Sequence, residues 1–203
     1  MKITTFLVIL QIIVFFFTLE NLEYYIENFG FNLEKFLRGE YYRIVTSIFL
    51  HGSFYHLIFN LLALFLIGRS VESSEGKMKL IFVFMISGIL ANFGMVFYPS
   101  NSVGIGSSGA ISGLIGYAIF SSPFKIVFVP IPLPLILISA SFLLSTVSNL
   151  FTESSIGYFA HLVGFLVGSF IGFLIHKSKR KNILIFILIL ALILIISNLN
   201  LFL

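Results

Sequence analysis

The chain contains no cysteine and no aspartate, and only 10% of its residues are charged. Without cysteine there is no disulfide framework, no thiolate metal site and no cysteine nucleophile. Because all eight acidic residues are glutamate, chemistry that needs an aspartyl pair or a Ser-His-Asp triad is excluded. No His-Glu-x-x-His run occurs and the four histidines do not cluster as metal ligands. No metal or other cofactor is therefore expected. The scarcity of charge excludes most: with 59% hydrophobic residues and a mean hydropathy of +1.11, a water-soluble fold could not hide the apolar surface. The chain reads as a polytopic membrane protein, an all-α helix bundle in contact with the lipid bilayer. Its net charge of +4 does not call for nucleic acid, because membrane proteins collect Lys and Arg in cytoplasmic loops.

A helix needs roughly 20 apolar residues to cross the hydrocarbon core, and fewer if its ends are recessed. Seven segments qualify: Ile3–Leu19, Ser53–Ile67, Met78–Tyr98, Ser107–Ser122, Pro132–Phe151, Gly157–His176 and Ile183–Leu203. The first follows a single Lys2 and ends in Thr18-Leu19-Glu20 without a small-x-small cleavage site, so it reads as a retained span. The fifth follows Pro130, Pro132 and Pro134, residues that helix starts tolerate. No repeat and no linker marks a second domain.

Loop charges give the orientation. With the N-terminus inside, the inner segments carry nine basic residues (Lys2, Arg69, Lys77, Lys79, Lys125, Lys177, Lys179, Arg180, Lys181), against three outside (Lys35, Arg38, Arg43). This bias predicts N-terminus in and C-terminus out. Residues 20–50 then form a long external loop, amphipathic enough to lie in the interface. A plain connector would be shorter, so the loop is expected to have a task.

In this topology spans two, four and six run inward, and His56, Ser108 and His161 fall near their outer ends. Each alone is as readily explained as a cap or a helix–helix hydrogen bond. Together they place ionisable and nucleophilic groups at one depth, where intramembrane polar residues point to a site. Gly109 and Gly113 on span four, and Gly164, Gly168 and Gly172 on span six, are spaced to let two helix backbones approach closely. That contact would bring the Ser108 hydroxyl to the His161 imidazole, the pair needed for general-base activation of a serine. His56 and Asn60 share one face of span two. Both can donate hydrogen bonds, and with a backbone N–H at the start of span four they could form an oxyanion hole. They could equally tie helices together. Glu153 is the acid nearest His161 in sequence, eight residues away and too far along to be assigned as its orienting partner. A Ser108–His161 dyad remains, and water would reach it through a recessed, outward-opening span four.

The motifs resemble the rhomboid family of intramembrane serine proteases, in the family's order. Gly39-Glu40-Tyr41-Tyr42-Arg43 resembles its first-loop motif, with Tyr42 where a tryptophan is usual. His51 and the His56-x-x-x-Asn60 pair follow. Gly68-x-x-x-Glu72-x-x-x-Gly76 resembles the motif at the inner end of span two. Gly106-Ser107-Ser108-Gly109 resembles the Gly-x-Ser-Gly motif, and Ala160-His161-Leu162-x-Gly164 the general-base segment, with Val163 interrupting the common run. Ser112 stands where the family often has an aromatic packed on the catalytic histidine.

The resemblance, over roughly residues 3–176, implies a six-span catalytic core (1–176). Residues 177–203, a basic loop and a seventh span, resemble the six-plus-one form. It implies an endopeptidase that cleaves transmembrane segments of other membrane proteins near the outer face, with Ser108 as nucleophile. Glu40 and Arg43 are expected to hold the loop or meet lipid headgroups, and His51 and His176 to be structural. The Trp-free, Ile- and Phe-rich composition fits the plasma membrane of a prokaryote. A pseudoprotease would be favoured by loss of Ser108 or His161, and both are present. A transporter should carry buried charge near the midplane, and the spans lack it.

Overall fold

Helix α1 (Ile3–Thr18) passes through a 3-10 turn at Leu19–Asn21 into α2 (Leu22–Phe29); the computed structural model describes residues 2–129, 131–151, 157–177 and 181–199. The exposed N–H groups at the start of α1 need acceptors. Glu72 supplies them, accepting from Ile3 N (2.7 Å), Thr4 N (3.1 Å) and Thr4 Oγ1 (2.6 Å). An acid of the second span thus caps the first, where the helix dipole also favours negative charge.

After two short helices, α3 (Leu33–Leu37) and α4 (Arg43–Thr46), helix α5 (Phe54–Ala63) begins behind Ser53, whose hydroxyl accepts from His56 N at 3.1 Å. It widens into a π turn at Leu64–Gly68 and continues as α6 (Arg69–Glu75). Span two is therefore longer than the expected Ser53–Ile67. Its last turns are polar, yet nothing breaks the helix before Gly76, whose φ of +86° reverses the chain. Helix α7 (Lys77–Ala91) follows, with a 3-10 extension over Asn92–Phe97.

Helix α8 (Ser108–Ser121) is the centre of the molecule. Its 14 residues rise about 21 Å, short of a hydrocarbon core about 30 Å thick. The shortfall is tolerated because every residue from Gly109 to Ser121 is buried; α7 and α10 (Tyr158–Ile175) supply most of the casing. A helix that is apolar all round belongs inside a bundle. Contact with α10 is at backbone distance. A methyl group on Gly164 would run into the Gly109 carbonyl, and one on Gly168 into that of Gly113. Gly172, expected to extend this seam, instead faces the Phe120 ring.

The fifth span corrects the expectation of an all-α chain beginning that helix at Pro132. Residues Ile126–Val129 (β1) and Ile131–Pro134 (β2) form an antiparallel hairpin, with Val127 opposite Leu133 and Phe128 opposite Pro132. The prolines explain it. A residue before proline is pushed out of the helical region, so Ile131 and Leu133 are both extended. Helix α9 (Leu135–Ser148) starts only beyond the last proline. The fold is mostly helical rather than all-α.

Helix α11 (Lys181–Leu199) closes the described chain. Its Phe186 is buried against Phe165 of α10, ring centroids 6.2 Å apart. Among the described residues, Ile3–Phe29, Phe54–Glu75, Lys77–Phe97 and Tyr158–Ile175 are long and apolar enough to cross a membrane. Ser108–Ser121, Leu135–Ser148 and Lys181–Leu192 are shorter apolar helices.

Candidate active site

The segment before Ser108 is held by the long first loop. Phe31 and Gly104 exchange backbone hydrogen bonds (2.9 and 2.8 Å), and Gly106 N donates to Ser47 O at 2.9 Å. Asn32 Nδ2 donates to the carbonyls of Ser100 and Ser102. The loop itself is set around Arg43, which is only 2% exposed. Its guanidinium bonds the carbonyls of Glu27 (2.8 Å) and Gly30 (2.9 Å) and pairs with the Glu40 carboxylate at 2.6 Å. The hydrogen bond from Arg43 holds the Glu40 carboxyl below its ordinary pKa. Of the two roles expected for Arg43 and Glu40, the loop-holding one is what the contacts describe. The loop's task is to brace the strand of chain that enters α8.

Ser108 is the first residue of α8, so its own N–H is among the unsatisfied donors of the helix start. Its half-buried hydroxyl lies 2.8 Å from His161 Nε2, one turn into α10. The glycine seam below puts the two helix starts at this distance. Among the described residues no carboxylate bonds the other ring nitrogen of His161. Glu153 lies outside them. The His161 ring is flanked instead by Phe142 of α9 (centroids 6.1 Å apart) and by the edge of Tyr158 (6.0 Å). The Ser112 hydroxyl donates back to the Ser108 carbonyl at 2.7 Å.

His56 and Asn60 reach the same place from α5. Gly52 N donates to His56 Nδ1 at 3.4 Å, so the neutral ring carries its proton on Nε2 and presents a donor. That nitrogen would be 2.7 Å from a Cβ on Gly106, which has a φ of +104°. Only glycine suits both the backbone and the close ring. Asn60 Nδ2 donates one proton to the His56 carbonyl at 2.8 Å. Its Oδ1 lies 3.4 Å from the hydroxyl of Ser107, the residue before Ser108. A fully buried His51 packs edge-on against His56 at 5.1 Å. Burial pushes its pKa down to about 3, with His56 adding to the effect and the Phe49 carbonyl opposing it. His176 lies at the far end of α10, with its Nε2 2.9 Å from Tyr117 OH.

Residues 38–178 match the Rhomboid domain, which covers more than half of the chain and includes Arg43, His51, His56, Asn60, Ser108 and His161. The chain belongs to the rhomboid family. Its relatives include "Putative rhomboid protease YdcA" of Bacillus subtilis (strain 168), 34% identical over 154 residues, which are 75% of this chain and 76% of that protein. Rhomboid protease AarA of Providencia stuartii is 30% identical over 218 residues, covering 90% of this chain and 77% of AarA. This rhomboid is thus a multi-pass membrane protein of a serine protease family.

The parts that four residues play at this rhomboid's site are not apparent from its motifs. Phe142 and Tyr158 stand beside His161 where an aromatic one turn after Ser108 would be usual. Ser107 and Gln11 are both fully buried, and the Ser107 hydroxyl donates to Gln11 Oε1 at 2.9 Å. Gln11 had one available signal: it is the single amide in the apolar run of α1, and polar residues inside membranes are seldom idle.

Proposed function

We propose that this rhomboid is an intramembrane endopeptidase acting on transmembrane segments of other membrane proteins, with Ser108 as nucleophile and His161 as general base. The observation that carries the reading is the 2.8 Å separation of His161 Nε2 and Ser108 Oγ. Neutral His161 takes the hydroxyl proton as Oγ adds to the scissile carbonyl. The developing oxyanion accepts from the Ser108 N–H, His56 Nε2–H and the second Nδ2 proton of Asn60. As the C–N bond breaks, His161 returns its proton to the leaving amine, and the acyl group stays as an ester on Ser108. Water then adds to that ester, His161 takes its proton, and breaking the C–O bond restores the serine. No metal or cofactor enters the scheme.

The scheme places the N-terminus inside, the C-terminus outside and the dyad toward the outer face, following the loop charges. It assigns residues 1–176 to a six-span core and 177–203 to a basic loop and an added span. Substrates with weak helices near the cut should be preferred, since a stable helix hides its peptide bonds. The test is covalent. A fluorophosphonate should add to Ser108, as read by peptide mass spectrometry. The adduct should vanish in Ser108→Ala and form far more slowly in His161→Ala. Labelling of another serine, or wild-type rates in His161→Ala, would refute the assignment.

A further inference from the structure

The hydrogen-bond chain behind the oxyanion donors begins on a helix that no site motif touches. Gln11 of α1 and Ser107 are both 0% exposed, and Asn60 is 6% exposed. The Ser107 hydroxyl lies 2.9 Å from Gln11 Oε1 and 3.4 Å from Asn60 Oδ1, with both oxygens placed as acceptors. A hydroxyl has one proton and can serve only one of them. The Gln11 amide nitrogen meanwhile has no partner in its buried position. An unpaired N–H away from water is costly, more so than an unpaired carbonyl oxygen.

Turning the Gln11 amide by half a turn interchanges its ends at little steric cost. Its Nε2 then donates to Ser107 Oγ, and the serine proton is freed for Asn60 Oδ1. That second bond is long for a hydroxyl donor and is the one that tightens. Donors now run in a single direction, from Gln11 through Ser107 to Asn60 and on to the His56 carbonyl, which Asn60 Nδ2 already reaches at 2.8 Å. With its oxygen end and one amino proton both fixed, the amide of Asn60 has a set plane, and its remaining proton a set direction.

We infer that Gln11 is a positioning residue for the reaction: through Ser107 it fixes the Asn60 amide that donates to the oxyanion. The inference rests on the proposed role of Asn60. The bland alternative is that Gln11 and Ser107 simply hold α1 to α8. The two differ in their readout, because a helix tie costs stability, whereas a positioning residue costs turnover and does so only while Asn60 is present.

The experiment is a double-mutant cycle on the full chain in liposomes, with a fluorogenic transmembrane peptide that the wild-type protein cleaves. Asn60→Ala should lower kcat on the order of 100-fold. Gln11→Leu should lower kcat about tenfold with KM within about twofold, the mark of an interaction used in the transition state. Added to Asn60→Ala, Gln11→Leu should cost no more than about twofold. Gln11→Met, closest in shape, should repeat these results if the leucine variant does not reconstitute. Gln11→Leu with wild-type kcat and a lowered melting temperature would overturn the inference, as would a full tenfold loss repeated without Asn60. Wild-type activity in Asn60→Ala would overturn the oxyanion role on which it rests. A wild type unable to cleave any transmembrane peptide would instead overturn the proteolytic reading itself.

Discussion

Gly106→Ala is the substitution whose consequence is best fixed by geometry. Two effects act at this position. The φ of +104° is a conformation that alanine adopts at a cost of about 1–3 kcal/mol. In addition, the new Cβ would sit 2.7 Å from His56 Nε2, while ordinary contact begins at 3.4 Å. The ring must retreat by about 0.7 Å, or the segment entering α8 must move the other way. Misplacement on the order of 1 Å can cost about 100-fold in rate. Gly39→Ala separates the two effects, since Gly39 has a φ of +105° but nothing within 4 Å of its Cβ position. Both variants should lose thermal stability from the strained backbone, Gly106→Ala the more because of its clash. Only Gly106→Ala should lose kcat, by about 30- to 100-fold, with KM nearly unchanged. Purified proteins in liposomes, assayed with one transmembrane peptide and melted in detergent, give both quantities. Gly106→Ala within about threefold of Gly39→Ala in kcat would refute the argument that the His56 ring needs this glycine.

Other perturbations test other parts of the structure. Gly168→Ala forces a methyl against the Gly113 carbonyl; it should cost about 1–3 kcal/mol and slow fluorophosphonate labelling of Ser108, read beside a melting curve. Arg43→Lys keeps the charge but cannot bond two carbonyls and Glu40 together; thermal unfolding should show a loss of about 2–4 kcal/mol. His51 has its folded pKa depressed to about 3, so below pH 6.5 the unfolded chain binds a proton that the folded one refuses. Stability from this group is complete above pH 6.5 and falls as the pH drops toward 3, by about 2 kcal/mol between pH 6.5 and 5. The melting temperature of His51→Phe should fall less steeply over that range, and parallel curves would contradict the assignment.

The meeting of Ser108 with His161 is legible in the sequence because small residues spaced by four permit close backbone contact just below both side chains. Glycines at 164 and 168 lay α10 directly on the backbone of α8 at Gly109 and Gly113, whose own open sides face Ala91 and Ser87 of α7, and the two side chains lie at the top of that seam. The hairpin is not legible in the same way. Proline is acceptable at a helix start, which makes Pro132 look like one. The rule that decides is the constraint on the residue before each proline, and two alternating prolines extend the whole stretch to Pro134. The length of span two is hidden for another reason: Arg69–Glu75 is too polar to read as membrane-embedded, yet the helix passes through Gly68 and ends only at Gly76, which has a φ of +86°. Gln11 and Ser107 escape notice because each is explained locally, one as a lone polar residue in an apolar run and the other as a variable motif position. Their pairing spans 96 residues and exists only in the fold. Phe142 likewise reaches His161 from a different helix than the motif would suggest.

In the proposed mechanism Ser108 and His161 together cut peptide bonds within the membrane. The most direct measurement compares wild type, Ser108→Ala and His161→Ala, each full length in liposomes, on one fluorogenic transmembrane peptide. Cleavage by the wild type alone, with both variants folded and down by at least about 1,000-fold, is the predicted result. Equal cleavage by all three would contradict it.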